Sequence, residues 1–234
     1  MTNDTMTERV RKLFAKAEST TSEHEAEALL AKAYALLAKH GIDEAIARAG
    51  AGTDSSEIDT WEFAATGAYK YDQVILVGQV ADALHCTAVR MSDRSTVRVF
   101  GARRHLDRVE MLAGMLVAYM LATAGKATNP HPWAESTVTY RKSVMLGFTI
   151  EVARRLKEAE RTAAAESSDE AGAGIVLASD ARRAEQAMRE ELGPIQTAGP
   201  VRRSRRGVDA GREAAASVDL GGERRVGGRA AIAG

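Results

Sequence analysis

The groups from which this chain could build a catalytic or metal centre are five histidines, a single cysteine and 32 acidic side chains. His24 and Glu25 open the helical zinc motif in which a second histidine follows one turn later, but position 28 is Ala28, so that site is not formed. His85 and Cys86 are neighbours, and successive side chains on a strand point to opposite faces, so one ion cannot take both without a bend. His40 stands before Gly41, where a cation suits a helix C-terminus. His105, with Asp107 and Glu110 at a helix start, and His131, between Pro130 and Pro132, complete the set. A hydrolase-like or metal-dependent enzyme would have to assemble its site from His105, Asp107, His131 and Arg141, with a loop brought against a helix. No ligand spacing in the sequence supports a metal, and none is expected.

Phosphate chemistry fares similarly. Gly125, Lys126 and Thr128 resemble part of a phosphate loop, but Ala127 takes the Ser/Thr position and Met120 that of the first glycine. No dinucleotide fingerprint follows a strand, no serine sits in a nucleophile elbow, and Cys86 has no basic neighbour to activate it. No cofactor is expected. Two basic clusters remain. Arg9, Lys12 and Lys16 share one face of a helix, and Arg202, Arg203, Arg205 and Arg206 form a denser group with no aromatic residue between them for base stacking.

The elements that must position these groups follow from periodicity. Thr5 with Glu8 and Ser22 with Glu25 read as two capping boxes, each opening a helix. Val10, Leu13, Phe14 and Ala17 line the first helix; Ala26, Leu29, Leu30, Ala33 and Leu37 line the second, which is predicted to end at Gly41. A Gly/Ser/Thr/Asp linker over 49–57 then separates a hairpin module, 1–49, from a second unit over 58–198. In that unit Trp61–Ala65 predicts a short strand and Tyr71–Leu84 a buried helix. Cys86–Met91 and Thr96–Phe100 predict a β-hairpin with Ser92–Ser95 as its loop. Leu106–Gly125 predicts a core helix, the Asn129–Pro132 break ends it, and Thr137–Arg161 and Ala181–Leu192 predict two more helices. Met111–Gly125 is uncharged over 15 residues, short for a bilayer span, and reads as buried. Residues 199–234, rich in Gly and Arg and without periodicity, read as a flexible basic tail.

The expected architecture is therefore α+β and mainly α: a helical hairpin, then a small antiparallel sheet packed with long helices, then the tail. The chain's 32 basic and 32 acidic groups cancel, which excludes binding of nucleic acid or acidic lipid through net charge alone. The cancellation is uneven, with 8 basic against 4 acidic residues after position 200. Arg outnumbers Lys 24 to 8 among abundant Ala and Gly, the signature of a G+C-rich coding genome. One cysteine fits a reducing compartment, and the polar start carries no targeting segment, so a cytoplasmic protein without a membrane is expected.

The run "RVRKLFAKAESTTSEHEAEALLAKAYALLAKHGID" over 9–43 resembles the N-terminal module of the bacterial and phage family called domain of unknown function 2786. Downstream, "RVFGARRHLDRVEMLAGML" and "TYRKSVMLGFTIEVARRL" are similar to the partner region that follows that module, and "GREAAASVDLGGERRVGGRA" resembles the endings of actinobacterial and actinophage members. The resemblance implies packing and capping roles for Glu25, Ala26, Ala33 and Gly41, and close helix contact at Gly147 after the polar Arg141 and Ser143. It brings no activity and no catalytic residues. The functional expectation is an intracellular, non-enzymatic binding or adaptor protein, of phage or mobile-element association, that meets a protein or nucleic acid through the hairpin and the arginine tail. A viral structural or assembly component is a third reading.

Overall fold

A hydrogen bond from the Glu25 amide to the Ser22 hydroxyl at 3.3 Å, and one from Thr20 Oγ1 to the Glu25 carboxylate at 2.8 Å, turn the chain between its first two helices as the sequence predicts. The structure, a computed structural model, describes residues 3–20, 22–50, 57–167, 170–195 and 203–216. The hairpin consists of α1 (Asn3–Ser19) and α2 (Glu23–Gly50). Thr5 lies inside α1, which opens by Asn3, and α2 runs through Gly41 instead of ending there. Tertiary packing overrides the local stop signal: Ile42, one residue on, is buried against Ala173 and Leu177. A side chain at Gly41 would overlap the Arg108 guanidinium, so this glycine serves close approach and not a turn.

Three strands follow: β1 (Ile58–Ala64), β2 (Thr87–Arg90) and β3 (Thr96–Ala102), with α3 (Lys70–Ala83) between the first two. They form an antiparallel sheet in the order β1-β3-β2, so β3 is central and both other strands are edges. Asp93 builds the β2–β3 turn by accepting from the Ser95 and Thr96 amides, each at 3.0 Å, and from both hydroxyls, contacts that hold its carboxyl down at about 2. Val97 and Val99 of β3 join the main core, whereas Phe100, pointing to the other face, is buried with Ala184 and Met188. Helices thus cover both faces of the sheet.

The remaining elements are α4 (Arg103–Lys126), α5 (Thr137–Ala165), α6 (Glu170–Leu192) and α7 (Arg205–Ala216). By length and composition α4 is apolar enough to cross a membrane, and in this fold its Leu106, Val109, Leu112, Leu116 and Met120 are packed into the core. The hairpin shares that core: Val10, Phe14, Leu30 and Leu37 cluster with Leu116, Phe148 and Val152. Each large apolar side chain so buried contributes about 1.5–3 kcal/mol.

The expectation of a flexible tail over 199–234 is corrected for residues 205–216, which form α7 against α5. Gly207 meets Tyr140 and Ser143, Gly211 meets the Val144 backbone, and Ala215 shares a small cavity with Phe148 and Val152, so the two helices run parallel. Contact is backbone to backbone, and an added methyl at Gly147 or Gly211 would overlap a carbonyl oxygen of the facing helix. Small residues every fourth position dock this helix, and a search for large apolar residues does not register them. Residues 199–202 and 217–234 lie outside the described residues.

Candidate functional site

The first turns of α4 carry Arg104, His105 and Arg108 into the interior, where all three are buried. Asp180 of α6 meets both Arg104 and His105, the latter through Nε2 at 3.1 Å. Glu160 of α5 meets Arg108, and His85 Nε2 donates to its second oxygen at 3.3 Å. The two imidazoles lie 5.5 Å apart, and His85 is held in the left-handed backbone region at φ 60°. Two guanidinium groups thus face two carboxylates, which matches charge with charge in the interior.

Burial pushes His105 down to about 4, against the upward pull of Asp180, so the ring is neutral and its Nε2–H donates to the carboxylate. Its Nδ1 then carries a buried lone pair with no partner among the described residues. Burial works to raise the Glu160 carboxyl, yet the Arg108 charge and the His85 hydrogen bond hold it below its ordinary value. Burial pushes the Cys86 thiol up to about 12, which leaves it protonated and a poor nucleophile. Among the described residues no three His, Cys, Asp or Glu side chains converge as metal ligands. This network ties α4 to α5 and α6.

The site that the alternative, enzymatic reading would build from His105, Asp107, His131 and Arg141 is not assembled. His105 opens α4 and His131 lies beyond its far end, roughly 30 Å away along the helix axis. Asp107 pairs with Arg103 at 2.9 Å on the surface, and Arg141 donates to the Gly125 carbonyl at 2.9 Å, closing the end of α4. Asp180 and Glu160, the partners that His105 and His85 respectively do have, lie 75 residues from them in each case. No spacing rule reaches that far.

A second cluster forms where the α4–α5 loop meets the start of α7. Buried Asn129 donates to the Glu135 carbonyl at 2.7 Å and accepts from the His131 amide at 2.9 Å, which pins both ends of the loop. Between them Trp133 stands 81% exposed, with the His131 ring edge-on at 5.2 Å. The Ser204 hydroxyl donates to the Glu135 carboxylate at 2.8 Å, and its amide donates to Ser143 Oγ at 3.1 Å. Ser143 itself donates to the Thr139 carbonyl. Arg203 is drawn inward to Asp72 at 3.1 Å, while Arg205 and Arg206, which follow Ser204 in the chain, are exposed. Arg202 lies outside the described residues.

The hairpin's basic face differs. Lys12 pairs with Glu8 at 3.4 Å and Lys16 with Glu25 at 3.0 Å, so acidic neighbours cancel much of the field around Arg9, Lys12 and Lys16. Sequence reasoning passed over Trp133, although its Pro-His-Pro-Trp setting signals an exposed turn that presents an aromatic ring. No curated protein and no solved structure matches the chain. Residues 5–44, which are most of α1 and much of α2, match the family model described as a protein of unknown function, DUF2786.

Proposed function

We propose that this chain is a non-enzymatic, cytoplasmic binding protein whose partner is single-stranded nucleic acid, met where the α4–α5 loop joins the start of α7. The observation that carries the reading is the Ser204–Glu135 hydrogen bond, which holds Arg205 and Arg206 beside the loop that exposes Trp133. An indole face and guanidinium charges together serve base stacking and phosphate contact, and neither needs a particular sequence. Residues 131–135 and 203–206 supply in space the interleaving that the arginine run lacks in the chain. The charge-compensated hairpin face takes no part. The resemblance of the region after the hairpin to actinobacterial and phage proteins supports a phage or mobile-element source, which the neighbouring genes would test.

The test is anisotropy of a labelled single-stranded oligonucleotide over a salt series. Trp133→Ala weakens binding by the stacking energy of one base, about 1–3 kcal/mol. Arg205→Ala with Arg206→Ala makes the slope of log K against log salt shallower by about 1.4. Replacing Arg9, Lys12 and Lys16 together leaves both quantities unchanged. Absence of binding at low salt would sink the proposal.

A further inference from the structure

Strand β2 is an edge of the sheet, and its free side opens into a cleft of about 680 Å³. Gly78 and Asp82 of α3 wall the cleft on one face of the sheet, and Arg182 and Met188 of α6 wall it on the other. A cleft lined from both faces must lie along the strand's open edge. Which backbone groups look into it follows from register. The Met91 amide donates to the Thr96 carbonyl at 2.9 Å, so this pair is a hydrogen-bonded position of the ladder. Counting back by twos, Val89 and Thr87 also turn their N–H and C=O groups to β3, and Ala88 and Arg90 turn theirs outward. None of those four outward groups has a backbone partner among the described residues.

The other edge is protected differently. β1 presents exposed Asp59, Thr60 and Glu62, the kind of charged edge that discourages pairing, whereas β2 reads Thr-Ala-Val-Arg. Charge in the β2 cleft is also one-sided. Asp82 is taken by Lys157 and Glu185 by Arg189, each at 2.5 Å. Among the described residues Arg182 has no carboxylate partner and donates to the Ala178 carbonyl at 3.2 Å, and Arg90 donates to the Tyr71 hydroxyl at 3.0 Å while lying over its ring.

From this we infer that β2 is an acceptor edge for an extended acidic peptide segment of another protein. The segment adds as a fourth strand through the outward groups of Ala88 and Arg90, with a carboxylate side chain at Arg182. A second copy of the chain does not fit, because each β2 is recessed between its own α3 and α6 and two such edges cannot approach to the roughly 4.8 Å of paired strands. The site is separate from the proposed nucleic-acid surface and stands without it.

The probe is an end-blocked peptide alternating threonine and glutamate around a central valine, added to the full chain while amide hydrogen exchange is followed by residue. The expected result is slowed exchange at Ala88 and Arg90, with no change along β1. The same peptide N-methylated at alternate amides gives no protection, and its lysine-for-glutamate counterpart binds at least about tenfold more weakly, as loss of charge-assisted hydrogen bonds requires. Ala88→Pro removes an outward N–H that β3 does not use, so the fold survives and the peptide is lost. Arg182→Glu reverses the preference toward the lysine peptide. Four results would overturn the inference: no protection at Ala88 and Arg90, equal binding by the N-methylated peptide, protection that rises with protein concentration in the absence of peptide, or edge amides already protected in the dilute free chain.

Discussion

His105 has no exposed surface, yet it sits among groups that change charge with pH. Its folded value of about 4 lies below the ordinary 6.5, so the unfolded chain binds the proton more readily. The stability that depends on a neutral ring is complete above about pH 6.5 and is lost as pH falls toward 4. Between about pH 7 and about pH 5 the loss is about 2 kcal/mol. Urea unfolding at the two values measures it, and His105→Gln flattens that part of the profile; a wild-type profile without slope there would contradict the assignment. Glu160, held low, adds its own loss only at more acid pH, as its carboxylate protonates. Little of this was legible beforehand. Arg104, His105 and Arg108 share the first turns of one helix, but what makes them a network is Asp180 and Glu160, supplied by two other helices, and tertiary partners leave no local spacing.

At the scale of elements, legibility depended on what each element uses to pack. Helices α1 to α5 and the β2–β3 hairpin bury large apolar side chains, and these give the periodicities read from the sequence; of α6 only Ala181–Leu192 is so read, because its buried stripe includes Ala173, Asp180 and Ala184. Helix α7 docks through Gly207, Gly211 and Ala215, residues that a hydropathy pattern scores as weak or neutral, and the arginines around them suggested a tail. Gly211→Ala or Gly147→Ala therefore pushes α7 off α5 and destabilises the chain by about 1–3 kcal/mol. Trypsin then cuts at Arg205, Arg206 and Arg212 faster than in the parent chain; equal cutting would mean that α7 does not depend on the close approach. Gly114, in the exposed face of α4, has nothing near the position of an added methyl. Gly114→Ala is expected to raise stability by about 0.5–1 kcal/mol, seen as a higher urea midpoint at constant slope.

The molecule as a whole has more unity than its sequence segmentation suggested. Because Val10, Phe14 and Leu30 share a core with Leu116 and Phe148, the hairpin and the sheet-bearing part are expected to unfold together. In a Trp133→Phe background, Trp61 fluorescence reports the sheet and far-ultraviolet dichroism reports mainly helix. Coincident urea transitions support one cooperative unit, and two separated transitions would show that the hairpin melts alone. Electrostatics also belong to this scale, since an overall neutral chain leaves Arg205 and Arg206 exposed and without a carboxylate partner among the described residues, whereas Lys12 and Lys16 of the hairpin are compensated locally. The parallel seat of α7 on α5 carries a cost in time. Ser143 and its hydrogen-bond partner Ser204 are 61 residues apart, so at about 5–20 residues per second a ribosome exposes the glycine-bearing face of α5 for about 3–12 s before its cover is made. During that interval the bare strip along Val144 and Gly147 is open to any other helix with small residues at the same spacing, including that of a neighbouring nascent copy, and crowded synthesis would favour exchange of α7 between chains.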